Sequence, residues 1–385
     1  MPIFILRNSF YQMSFVDAFS DQLKKELKNY APKNPFETYE YYQCLENSGC
    51  ASKNSGWQPH HNLQVSVDGN LIIPIYKKTN SYGEFIFDYS WANAFARYGI
   101  EYYPKLVSSV PFTPCHSSKL IGNTELLEDA ITEVENFMSS EGIQSWHILF
   151  PSDNDLLKLE NHGFIKRFSY RYVWKNYDYE SFSDYLARFK SRQRKNILKE
   201  RKSIKEEKIE FEIMSGSSIN EDAWQKLYSF YCQTYFDRGQ RPYLNLKFFN
   251  MIADKKGIKP VIFFAKYKDD FVGASLCFEG SDTLYGRHWG SNILLKNLHF
   301  EACYYQGIEY CINNGISYFD PGIQGEHKLR RGFEVSKRVS MHMISNKDFR
   351  DAIASFCKDE ENEINRYIES CKAYTPFNID YRIES

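Results

Sequence analysis

Two runs decide how this chain is read: Leu298-His299-Phe300-Glu301-Ala302-Cys303-Tyr304-Tyr305-Gln306-Gly307-Ile308-Glu309-Tyr310, and Tyr318-Phe319-Asp320-Pro321-Gly322-Ile323-Gln324-Gly325-Glu326-His327-Lys328-Leu329-Arg330-Arg331-Gly332-Phe333. In the first, Leu298, Tyr305, Ile308 and Ile312 recur at helical spacing and form one apolar stripe. Gly315-Ile316 ends that helix and opens a strand that stops at Asp320-Pro321, because proline has no N–H to continue a ladder. A Gly-rich loop and a short helix closed by Gly332-Phe333 follow. Just upstream, Leu284-Tyr285-Gly286-Arg287-His288-Trp289-Gly290 reads as a strand. Strand, helix, strand is the crossover unit of an α/β protein.

The same order appears in the first half. Tyr82-Gly83 corresponds to Tyr285-Gly286, Gly142-Ile143 to Gly315-Ile316, Phe150-Pro151 to Asp320-Pro321, and Gly163-Phe164 to Gly332-Phe333. Each half also has a Val/Ile-rich hairpin turned at Asp. Residues 63–67 and 71–76 flank Asp68-Gly69-Asn70, and residues 260–265 and 272–278 flank Asp269-Asp270. Helical stripes precede each hairpin: Phe15, Ala18, Phe19 and Leu23, then Phe36, Tyr39, Tyr42 and Leu45, in the first half; a basic helix over 181–207 and a second helix over 221–237 in the other. Further helices are expected at 124–141, 156–162 and 347–372, and strands at 84–89, 106–110, 146–150, 168–174 and 338–344. The reading is duplication of one α/β unit with mixed sheets, split into domains at 1–178 and 179–385.

Composition bounds the function. The 385 residues are 43% apolar, enough for two cores, and the net charge of −1 makes any polyanion-binding surface a local one. Nine cysteines without CxxC or CxxH spacing argue against structural zinc and for a reducing compartment. The N-terminal run is too short for a signal h-region, and no run reaches the roughly 18 apolar residues of a span. The expectation is a soluble, cytoplasmic protein without a bound metal.

The element order resembles the GNAT acyltransferase fold in tandem. Specific runs sharpen this: Asn80-Ser81-Tyr82-Gly83-Glu84-Phe85-Ile86-Phe87-Asp88, Tyr102-Tyr103-Pro104-Lys105-Leu106, Val110-Pro111-Phe112-Thr113-Pro114, Arg192-Gln193-Arg194-Lys195-Asn196-Ile197, Arg241-Pro242-Tyr243 and the opening stretch. From about residue 57 to residue 349 they look like the FemAB-like family named for peptidoglycan biosynthesis or recognition, within the GNAT superfamily. The resemblance implies an N-acyltransferase. Fem ligases move an aminoacyl group from charged tRNA to the amine of a peptidoglycan-precursor peptide, and other GNAT enzymes move acetyl from acetyl-CoA. The donor is therefore expected to be an aminoacyl-tRNA or an acyl-CoA, and the acceptor an amine of a peptide or amino acid. Alternatives are an acetyl-CoA-dependent N-acetyltransferase on a small amine and a non-catalytic module that binds cell-wall peptide.

Acyl transfer to an amine needs a proton acceptor, a donor for the oxyanion and fixed alignment. Glu301 lies on the apolar stripe, so burial is expected to raise its pKa toward that of a general base; the competing reading is a structural ion pair, with Arg287 as partner. His327 follows the Gly-rich loop and is the second candidate base. Asp320 is expected to orient His327, bind the amine or simply form the Asp-Pro-Gly turn. Arg287 and Trp289 are expected on one strand face, toward substrate, with His299, Gln324, Glu326 and Lys328 nearby. Ser291, Asn292, Lys296 and Asn297, before the helix, fall where a GNAT enzyme binds pyrophosphate. However, the Gln/Arg-x-x-Gly-x-Gly/Ala pattern of acetyl-CoA enzymes is missing there. Tyr82 and Asp88 are expected to line a cleft between domains, and the basic helix 188–205 to contact tRNA or another phosphate-bearing partner, a membrane surface being a further option.

Overall fold

The computed structural model describes residues 12–26, 30–253, 255–323 and 325–378. They form two compact units, neither continuous in sequence. One comprises the described residues within 1–32, 45–167 and 339–358; the other comprises those within 33–44, 168–338 and 359–385. The expected boundary at 178/179 keeps each half whole. Instead the chain leaves the first unit within strand Ile165–Lys175 and returns to it within strand Glu334–Ile344.

In the first unit, Lys105–Ser108 and Ser145–Ile148 run parallel, joined by helix Leu127–Glu141. That helix is amphipathic. Leu127, Ala130, Ile131, Val134 and Met138 face Leu106, Trp146 and Ile148, and Gly142 takes the left-handed C-cap at φ 68°. Residues 341–344 pair antiparallel beyond Ser145–Ile148. The predicted hairpin at Asp68 is present, but it belongs to a separate four-stranded sheet with Gln12–Val16 and Ile121–Gly122.

Two expected elements of this unit change identity. The stripe from Phe15 to Leu23 is a strand, Gln12–Val16, followed by a helix, Asp21–Glu26. Strand pairing with His61–Ser66 consumes the first part of the pattern. The expected strand 84–89 is an irregular segment leading into helix Tyr89–Arg97. Two of its inward residues, Glu84 and Asp88 on either side of the buried Ile86, are acids. Lys105 Nζ meets Glu84 Oε2 at 2.8 Å and also Asp88, and these buried ion pairs, with Phe85 at φ 61°, bend the backbone away from a ladder.

The second unit carries the fuller sheet. Ile209–Ser215, Pro260–Tyr267, Asp270–Glu279 and Thr283–Ser291 follow one another antiparallel. Thr283–Ser291 then pairs parallel with Tyr318–Asp320, and that strand pairs antiparallel with Trp174 and Lys175. Helical residues 298–313 make the crossover, interrupted by a π-helical turn at Glu301–Tyr305. Leu284, Phe319, Tyr305, Ile308 and Trp174 pack in its core. The predicted basic helix is two helices, Phe182–Ala187 and Ser191–Glu206. Strand Ile209–Ser215 and helix Leu246–Ala253 have no counterpart in the sequence reading.

Candidate active site

The parallel pairing of the crossover strands stops at Tyr285 opposite Asp320. Beyond it, one strand runs on through Arg287 to Ser291 while the other turns away at Pro321. At the same place the antiparallel register slips. Cys277 pairs with Gly286 but Leu276 pairs with His288, so Arg287 is an extra residue in a β-bulge.

The bulge overturns one expectation. Arg287 and Trp289 were expected on one face by alternation, and the inserted residue breaks the alternation between them. Arg287 and His288 point the same way, Arg287 toward the Phe36 and Tyr285 rings and His288 against Tyr231 and Phe249. Trp289 faces the crossover helix, beside His299 and the cluster of Ile204, Ile209 and Leu298.

Asp320 is buried and shared by two arginines. Arg171 pairs with Oδ2, Arg287 Nη2 lies 3.4 Å from the same oxygen, and the Gly322 amide donates to Oδ1 at 3.0 Å. Burial alone would push this carboxyl up. Arg171, Arg287 and the Gly322 amide outweigh it and hold the group below the ordinary carboxylate range. Asp320 thus organises guanidinium groups and makes no hydrogen bond to His327.

Lys328 is almost fully buried, and its Nζ donates to the Gly322 carbonyl at 2.7 Å. Burial lowers its pKa to about 8, with Arg171 and Arg287 acting in the same direction and Asp320 against them. His327, the neighbouring residue, is half-buried. Its Nε2 shares a hydrogen bond with Tyr304 Oη at 2.9 Å. Burial, then Arg331 and Lys328, lower its pKa from the ordinary imidazole value, which favours the neutral ring. Gly325 makes room for the ring: a Cβ there would lie 2.2 Å from His327 Cε1.

The π-turn explains why Tyr304 is available. It inserts a residue into the helix and directs three of its polar groups, Glu301, Tyr304 and Tyr305, differently. Tyr304 goes to His327. Tyr305 Oη pairs with Glu200 and accepts from Arg331 Nε at 3.0 Å. Glu301 Oε1 accepts from Arg201 Nη2 at 2.9 Å and Nε at 3.1 Å, Oε2 accepts from the same Nε at 3.2 Å, and Gln306 adds a bond of 2.8 Å to Oε1. Glu301 is therefore buried in an ion pair, as the structural reading required, but the partner is Arg201, not Arg287. Three of these bonds fall on Oε1, and Oε2 takes only the contact that Arg201 Nε shares between the two oxygens.

Other expected site residues lie as follows. His299 packs edge-on to Trp289 and Tyr304, and burial, with His327 next, lowers its pKa to about 4. Glu326 is exposed and accepts from Tyr367 Oη at 3.1 Å. Gln324 lies outside the described residues. Ser291 Oγ donates to the Val272 carbonyl at 2.7 Å, and the exposed Asn292 donates its amide to the same carbonyl. Lys296 is exposed, and Asn297, at φ 69°, donates from Nδ2 to Ser203 Oγ at 3.0 Å. In the first unit, Tyr82 is exposed while Asp88 is buried, accepting from Ser81, Tyr102 and Lys105.

Arg171, Arg201, Glu200, Tyr304 and Arg331 are absent from the expected set. Arg201 had a readable signal. It stands four residues after Ile197 and three before Ile204, on the buried stripe of an otherwise exposed basic helix.

The comparisons agree with this architecture. The FemAB-like family, described as peptidoglycan biosynthesis/recognition, matches residues 17–379. No curated protein matches the chain. The C-terminal domain of a putative lysylphosphatidylglycerol synthetase from Agrobacterium fabrum superposes with a TM-score of 0.53 at 8% identity, covering 88% of this chain and 94% of that one. A crystal structure of FemX gives 0.50 at 10% identity, covering 89% and 100%. At such identities the likeness is one of fold alone. On the extent of the family match, the chain belongs to the FemAB-like peptidoglycan biosynthesis/recognition family.

Proposed function

We propose that the protein is an N-acyltransferase that moves an acyl or aminoacyl group from an activated donor to an amine of a peptide or amino acid, with its chemistry in the second unit. One observation carries the reading. His327, held by its hydrogen bond with Tyr304, and the buried Lys328 are chain neighbours where the two crossover strands part.

The roles follow from charge. With Tyr304 Oη accepting from Nε2–H, the Nδ1 lone pair of His327 takes the proton that the amine sheds. The amine nitrogen bonds to the donor's carbonyl carbon, and the oxyanion that develops faces Lys328. The bond from that carbon to the leaving atom then breaks, and His327 returns the proton to the leaving group. Arg171 and Arg287, aligned by Asp320, hold substrate charge. Glu301 positions the π-turn through Arg201 and so fixes Tyr304. Family membership supports a peptidoglycan-related peptide as acceptor.

The test is a transfer assay with His327→Ala and Lys328→Met. Each is expected to lower kcat by about 10²-fold or more while circular dichroism stays unchanged. Full activity in both variants would defeat the assignment. Calorimetric titration with an acyl-CoA and with an aminoacyl-tRNA identifies the donor class.

A further inference from the structure

Helix Ser191–Glu206 buries Ile197 and Ile204 and turns Arg201 inward to Glu301. Its outer side carries Arg192, Lys195, Lys199, Lys202 and Lys205, all exposed, with Leu198 half-exposed among them. Glu206, which shares this side, is paired with Lys202 at 3.4 Å. The turn before the crossover helix lies along the same helix. Asn297 donates to Ser203, and Leu295 packs in the cluster of Ile204 and Ile209. The residues just before Leu295 turn outward. Ile293 is exposed, Leu294 stands fully in solvent at 106% relative exposure, and Lys296 is exposed beside them.

We propose that this surface docks the protein peripherally on an anionic lipid surface. Lysines of the helix sit over the headgroups, and Leu198, Ile293 and Leu294 enter the boundary with the acyl chains. Water gains nothing from aliphatic side chains held open at a turn, whereas a lipid interface removes that cost. Cations interleaved with aliphatic residues are the pattern of interfacial binding.

The composition favours lipid over nucleic acid. Four of the five outward cations are Lys, a compact charge without the planar fork that Arg offers to a fixed phosphate. The outer side of the helix also presents no aromatic ring for a base to stack on. Among the described residues, no helix is long and apolar enough to cross a membrane, so the docking is one of surface. The inference does not depend on the acyl-transfer reading.

The experiment is co-sedimentation of the full chain with vesicles of phosphatidylcholine alone, or of phosphatidylcholine with phosphatidylglycerol. Binding is expected only to the latter, weakening as salt rises. The triple variant K195A/K199A/K202A is expected to lose about a hundred-fold in partitioning, at about five-fold per lysine. The variant I293S/L294S is expected to bind more weakly with its salt dependence unchanged. Wild-type protein left in the supernatant with phosphatidylglycerol vesicles would overturn the proposal. So would variants that bind like wild type, or tighter binding to bulk tRNA than to the vesicles at equal salt.

Discussion

Glu301→Gln separates two jobs that one carboxylate can hold. The substitution keeps the shape and removes the charge. In the protein, Glu301 accepts three contacts from Arg201 and one from Gln306. A Gln side chain offers one oxygen to these donors and turns an NH₂ toward the other, so at least one contact becomes donor against donor. Hydrogen bonds to charged groups contribute about 1.5–3 kcal/mol each, and a mispaired buried donor costs about 1–3 kcal/mol. Arg201 keeps its second partner, Glu309, at 2.7 Å, which limits the damage. A net loss of about 2–4 kcal/mol is expected. For a unit of this size each kcal/mol lowers Tm by about 2–4 °C, so a fall of roughly 5–15 °C follows. Because Glu301 acts through Arg201 and the π-turn, kcat measured well below the new Tm should fall less than about ten-fold. Thermal melting and transfer kinetics on the same sample decide it. A wild-type Tm together with a loss of 10² or more in kcat would refute the structural assignment and restore Glu301 as the base.

Other outcomes follow from the same geometry. Lys328 must be charged to face an oxyanion and has a pKa of about 8, so kcat should fall above that pH; Lys328→Arg should retain part of the activity and lose the alkaline limb. Gly290→Ala would place a methyl 1.8 Å from the Phe230 carbonyl, a backbone atom that cannot swing aside. It should cost more than about 3 kcal/mol in urea denaturation, and a loss under 1 kcal/mol would mean that helix Glu221–Phe236 packs less closely than described. His147 is buried, and its pKa falls to about 3 through burial, then the nearby Lys105. Its folded pKa is below the unfolded value, so stability is full above about pH 6.5 and is lost as pH falls toward 3. At pH 5 the loss from this group is about 2 kcal/mol, and equal unfolding free energies at pH 7 and pH 5 would contradict it.

Local rules made much of the second unit legible. Leu298, Tyr305, Ile308 and Ile312 gave the crossover helix, Gly332 its short successor, and Asp269-Asp270 the hairpin. Two kinds of feature were hidden. Phe85, Phe87 and Tyr89 alternate like strand residues, yet Phe87 and Tyr89 are exposed and the segment bends round Lys105. Burial of a lysine between two acids is a tertiary fact that periodicity does not carry. The site was half legible for a similar reason. His327, Lys328, Asp320 and Arg287 stand close in sequence, but Arg171 reaches Asp320, Glu200 reaches Arg331 and Arg201 reaches Glu301 from a hundred residues away or more. Nor does periodicity announce a π-turn, and without it Tyr304 and Tyr305 could not be assigned their separate partners.

The bulge at Arg287 makes the strand a parity switch. Residues before it and after it are addressed to opposite faces by one extra peptide unit. Removing any residue between Gly286 and Trp289 would therefore do more than shorten a strand. It would close the bulge and restore strict alternation, leaving Trp289 on its present face while one of Arg287 and His288, which share the other face, is lost. Insertions and deletions here are changes of chemistry, while those in the Asp269-Asp270 turn change only length.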